Sequence, residues 1–220
     1  MKIRNIFLLL AISSCFIPAV AQRPDQTHNL NEEDLTELTK RATEKVNEFN
    51  RHLSYIATPI KVNSREEQKN VEATKSRKVK QCLNLFIGKG YEYEDMYGNT
   101  QAPVVMEVSS VNRKTKAVSI SRPQVRQYLD RMRRNYHRYD RIEITSSDCY
   151  IADNSLKEVD DGLYMCVLSY TQFYRGERGD RIAYQDRTDK NVVVYFERTE
   201  IDGKVRWLIW LGNISVKQTE

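Results

Sequence analysis

The stretch NVVVYFERTEIDGKVRWLIWLGNISV, residues 191–216, decides the fold class. Two runs rich in Val, Ile, Tyr and Trp flank Ile201-Asp202-Gly203-Lys204. Asp-Gly between such runs signals a tight hairpin, because both central positions of a type I′ turn need positive φ. Residues 191–198 and 204–216 therefore read as a strand pair. Upstream, residues 141–151 alternate through Ile142 and Ile144, and residues 163–174 form a long apolar and aromatic strand. The polar residues between Tyr174 and Asn191 read as a loop. Four successive strands imply an antiparallel sheet, and their centres are apolar on both faces. Such a sheet is covered on both sides or curves tightly enough to enclose a cavity.

The preceding chain reads as helices that cover this sheet. Asn31 is a good N-cap, with Glu32, Glu33 and Asp34 in a first turn where negative charge suits the helix dipole. Leu35, Leu38, Ala42, Val46, Phe49, Leu53 and Ile56 recur at spacings of three and four, so residues 31–58 are an amphipathic helix ending before Pro59. Ser64 and Glu67 make a capping box that starts a second helix at Arg65. Its apolar positions, Val79, Cys82, Leu83, Phe86 and Ile87, lie in its second half, before Gly88 and Gly90 stop it. Residues 91–101 read as a connecting loop, and residues 103–111 and 117–121 as a short strand pair. Ser121-Arg122-Pro123 marks the start of a third helix. On it Val125, Tyr128, Leu129, Met132, Tyr136 and Tyr139 share an arc of roughly 100°, beside a basic edge of Arg122, Arg126, Arg133 and His137.

The 220 residues suit one domain. Residues 1–21 have the pattern of a signal peptide: Lys2 and Arg4, an apolar run over residues 6–17, and Ala19-Val20-Ala21 as the cleavage site. Residues 22–30 then form a flexible leader. In an alternative reading Ile12-Ser13-Ser14-Cys15 is a lipobox, and the protein is lipid-anchored through Cys15. No later stretch reaches the ~18 apolar residues of a membrane span. The expectation is an exported protein, periplasmic or secreted, with no transmembrane segment. Beyond residue 21, 33 Lys and Arg face 30 Asp and Glu, a balance too mild to point to nucleic acid. The arginines of residues 113–141 are read as the solvated edge of the third helix.

No catalytic motif or nucleotide loop is present. The three histidines, His28, His52 and His137, have no metal-ligand spacing, and no metal or cofactor is indicated. If a turn centres near Lys157 and Glu158, Cys149 falls opposite Cys166, a candidate disulfide worth about 3 kcal/mol. The competing reading makes both small buried residues, as for Cys82. Tyr128, Tyr136, Tyr164, Tyr170, Tyr174, Trp207 and Trp210 either wall a cavity or fill it. Glu107 and Glu197 are the strand carboxylates for which acid–base work is considered, against a solvent-facing reading. Arg178-Gly179-Asp180 spells an adhesion tripeptide, and Asn213-Ile214-Ser215 a glycosylation sequon, each a short match of low specificity.

The order of two helices, a short strand pair, a helix and four antiparallel strands, ending in Arg206-Trp207-Leu208-Ile209-Trp210-Leu211, resembles the nuclear transport factor 2-like (cystatin-like) superfamily, in particular its exported bacterial members; the resemblance covers about Arg65 to Val216, within a domain of residues 60–220. The resemblance implies an α+β fold: a strongly bent antiparallel sheet, closed into a cone by N-terminal helices and preceded here by an extra helix. It implies a non-catalytic binding module for a small ligand or partner protein, with homodimerisation through the sheet face. The alternative it implies is an isomerase or dehydratase that uses a cavity carboxylate and a Tyr donor. For ligand binding the cavity candidates are Tyr128, Tyr136, Tyr164, Tyr170, Trp207 and Trp210.

Overall fold

In the computed structural model the described residues are 30–95, 97–111, 115, 117–134 and 139–219. The signal peptide, Cys15, nearly all of the leader, Tyr136 and His137 lie outside them. The chain is α+β, with three α-helices among the described residues and a strongly curled antiparallel sheet. The helices are α1 (Glu32–Ala57), α2 (Arg65–Leu83) and α3 (Val125–Arg134). The strands are β1 (Tyr93–Glu94), β2 (Thr100–Gln101), β3 (Val108–Val111), β4 (Val118–Ser121), β5 (Arg141–Ser146), β6 (Tyr150–Ile151), β7 (Lys157–Asp160), β8 (Leu163–Arg178), β9 (Arg181–Ile201) and β10 (Lys204–Thr219).

The helix caps are those expected. Asn31 accepts the Asp34 N–H at 2.7 Å, and the Ser64 hydroxyl accepts that of Glu67 at 3.1 Å. Glu67 reaches back to the Asn63 N–H at 2.7 Å rather than to Ser64. The apolar stripe of α1 is buried from Leu38 to Ala57. Its Ser54 and Thr58 hydroxyls accept the N–H groups of Ile144 and Ile142 at 2.8 and 3.0 Å, so the helix closes the otherwise open edge of β5.

The large sheet runs β10-β9-β8-β5, and β8 takes β5, β6 and β7 in turn along one edge. Laid flat, the 21 residues of β9 would span about 70 Å, so strands of this length must coil to fit one domain. On the concave face Tyr164, Cys166 and Leu168 of β8 stand beside Phe196, Val194 and Val192 of β9, all buried in one core with the apolar stripe of α1. Phe49 of α1 meets Phe86 edge-to-face, with ring centroids 5.1 Å apart.

Several expectations are corrected. Residues 175–190 are not a loop: β8 and β9 continue through them and turn at Gly179-Asp180, where Gly179 has φ 58°. Helix α2 ends at Leu83, because Leu85 and Phe86 pair with β10 through the Leu211 N–H at 2.8 Å. Helix α3 starts at Val125 rather than beside Pro123, because backbone pairing of residues 104–106 with 123–125 holds that stretch extended. Residues 91–101 are not a plain loop but the β1–β2 hairpin, tied by the Asp95 carboxylate to Tyr97, Asn99 and Gln101. Through the Tyr93–Tyr195 hydrogen bond this hairpin lies against the convex face of β9.

Candidate functional site

Along β9 the inward positions are Phe196, Val194, Val192, Lys190, Thr188, Asp186 and Tyr184. The first three belong to the core and the last four line a cleft. The period of two is unbroken, so one strand face passes from apolar to polar. Strand β8 changes in step: Tyr170 stands opposite Lys190, Gln172 opposite Thr188, Tyr174 opposite Asp186 and Gly176 opposite Tyr184. The cleft holds about 630 Å³. Tyr128 and Met132 of α3 and residues 108–111 of β3 form its other wall, with Ala57 and Ile142 where α1 meets β5.

Three tyrosines frame one end. Tyr139 stacks on Tyr184 at 6.4 Å and meets Tyr174 at 6.3 Å, while Tyr174 and Tyr184 lie 5.7 Å apart. This arrangement needs Gly176, since a Cβ there would sit 2.8 Å from the Tyr139 ring. Tyr184 donates its hydroxyl proton to Asp186 Oδ2 at 2.6 Å. Burial pushes the Asp186 carboxyl above the ordinary carboxylate range, against the lowering effects of the Tyr184 bond and the Lys190 charge. Lys190 is 5% exposed, and burial lowers its amine to about 8, with the Asp186 charge opposing. At the floor Gln172 donates to Asn50 Oδ1 at 2.7 Å, an interior bond between β8 and α1.

Of the residues singled out in the sequence, Tyr128 and Tyr174 line the cleft. Tyr136 lies outside the described residues. Tyr164 and Trp207 pack on each other at 5.9 Å at the far end of the concave face and fill that space. Tyr170 is core, 3% exposed, beneath the cleft. Trp210 does not belong to the cleft lining; its indole N–H donates to Glu197 at 3.3 Å. Glu107 is a structural acceptor, taking the Val216 N–H at 2.9 Å and the Arg122 guanidinium at 2.7 Å.

The Cys149–Cys166 pairing is corrected by the register. Tyr150 pairs with Ser169 and Ile151 with Leu168, which sets Cys149 beside Tyr170, while the turn into β8 falls at Asp161-Gly162. Cys82, Cys149 and Cys166 are all buried free thiols. Asn213 of the sequon turns its side-chain oxygen to the Val105 N–H at 2.9 Å. Arg178-Gly179-Asp180 forms the tip of the β8–β9 hairpin, where the Gly179 N–H donates to Asp140 at 2.7 Å.

Among the described residues no helix is long and apolar enough to cross a membrane, and no three His, Cys, Asp or Glu side chains converge as metal ligands. No family model, curated protein or solved structure matches the chain.

The residues that sequence reasoning missed are Tyr184, Asp186, Thr188 and Lys190. Their signal was present, since they continue the alternation of Val192, Val194 and Phe196. It is hidden by polarity: a charged inward position looks like a loop until the strand is known to line a cavity.

Proposed function

We propose that this chain is an exported, non-catalytic binding module that holds a small organic ligand in the cleft between β8, β9 and α3. The carrying observation is a 630 Å³ space on the concave face of the sheet, walled by tyrosines and set with a few convergent polar groups. That size and lining match the usual dimensions of small-molecule sites, about 300–1,000 Å³. The Tyr139–Tyr184 stack, met edge-on by Tyr174, suits a flat ring, and Asp186, Thr188 and Lys190 supply directional partners. Export is supported by the pattern of residues 1–21. A nuclear transport factor 2-like cone is supported by the order of helices before a curled sheet.

The test is ligand-observed NMR with a panel of ring-containing fragments. Saturable binders are expected, and Ala183→Trp at the cleft mouth is expected to lose them. A panel with no saturable binder, or binders indifferent to that substitution, defeats the proposal.

The Asp186–Tyr184 bond favours a second reading, an isomerase or dehydratase in which Asp186 moves a proton while Tyr128 donates to a substrate carbonyl. It predicts exchange of α-protons of a bound ketone with deuterated water, abolished in Asp186→Asn. Exchange equal in the two proteins would exclude it.

A further inference from the structure

Among the described residues Lys190 is a lysine that lines the cleft while only 5% exposed. An interior ammonium is costly unless hydrogen bonds replace its lost water. Lys75, the other buried lysine among the described residues, meets that need by donating to the Thr58 carbonyl at 2.7 Å. Among the described residues no hydrogen bond or ion pair is made by Lys190 Nζ. Asp186, on the same strand face, feels its charge, but its Oδ2 is taken by Tyr184. Burial lowers its amine to about 8, so at pH 7 about one molecule in ten presents a neutral amine. The Asp186 carboxyl is shifted the opposite way, towards its protonated form. Neutral amine and protonated carboxyl are the two states that addition of an amine to a carbonyl requires.

We propose that Lys190 captures a small aldehyde or ketone in the cleft as an imine, a proposal that rests on the cleft being a ligand site. The Nζ lone pair adds to the carbonyl carbon, and the C=O π pair moves to oxygen, which takes the Asp186 proton. Nζ then returns one proton to the Asp186 carboxylate, leaving a neutral carbinolamine. Protonation of its hydroxyl by Asp186 breaks the C–O bond and releases water as the nitrogen lone pair forms C=N. The product is an iminium ion with the Asp186 carboxylate as its counter-charge, and no oxidant or reductant takes part.

The test treats the purified protein with benzaldehyde and cyanoborohydride across about pH 6 to 9, then maps the reduced adducts by peptide mass. Lys190 is expected to be labelled about tenfold faster than exposed lysines at pH 7. Its rate should level off above about 8 as the amine becomes fully neutral. The other titratable or charged groups towards it are Asp186 and Tyr184 on β9, Tyr170, Tyr174 and Arg178 on β8, Tyr128 on α3, and Tyr139 ahead of β5. Burial pushes the Tyr128 and Tyr170 phenols up, out of this range. Lys190→Met should lose the preferred adduct, and mapping of the wild-type protein carries the test if that variant does not fold. Labelling confined to exposed lysines overturns the imine. If benzyl alcohol still binds by NMR in that case, the ligand cleft stands without it; if neither binding nor adduct is seen, both readings fall.

Discussion

Lys190 weakens the fold wherever its amine carries a charge. Its native pKa of about 8 lies below the ordinary 10.5, so between these values the unfolded chain holds a proton that the native chain has lost. Stability from this group therefore rises as pH climbs through that window, and the full penalty is present below it. Lys190→Met should raise stability at pH 7 by about 1–3 kcal/mol in urea titrations, with the gap closing towards pH 10.5. A gap independent of pH would refute the assignment. Glu107 has the opposite sign: the Val216 N–H and then the Arg122 guanidinium hold its carboxyl below the ordinary range. Its contribution is present above the unfolded pKa and is lost as pH falls through the native one. Glu107→Ala should cost about 1–3 kcal/mol at neutral pH and progressively less in acid.

At the scale of elements, α1 carries the core. Phe49 is 1% exposed and packs on Phe86, so Phe49→Ala should cost about 3–5 kcal/mol by chemical denaturation. A cost under ~1 kcal/mol would mean that α1 is peripheral. The β9–β10 turn has Asp202 at φ 54° and Gly203 at φ 70°, so Gly203→Ala should lose about 1 kcal/mol without moving the strands. These two features were legible in the chain, because a helical stripe and a tight turn are set by residues close in sequence. The β1–β2 hairpin was not, since what docks its polar strands on the sheet is the bond from Tyr93 to Tyr195, about 100 residues away. The late start of α3 has the same origin: pairing of residues 104–106 with 123–125 overrides the start signal at Ser121 and Pro123.

For the whole molecule the strand register sets the cysteine chemistry. Alkylation of the denatured, unreduced protein should modify Cys82, Cys149 and Cys166, whereas the native protein should resist, its thiols being buried and those of Cys82 and Cys166 pushed up to about 12. A mass short by two alkyl groups would restore the disulfide. By itself the sequence determined the α+β order, the caps at Asn31 and Ser64, the apolar stripe of α1 and the Asp202-Gly203 hairpin. Each depends on spacing within a few residues. Only the tertiary structure decided that the aromatics divide between filling and lining, with Tyr164 and Trp207 packed together while Tyr128 and Tyr174 face a cleft. It alone set Asp186 and Lys190 inside. The physical reason is that a strand residue's environment is fixed by its partners across the sheet and by the helix above it. Those partners, Tyr170 and Tyr174 on β8 and Tyr128 on α3, are distant in the chain.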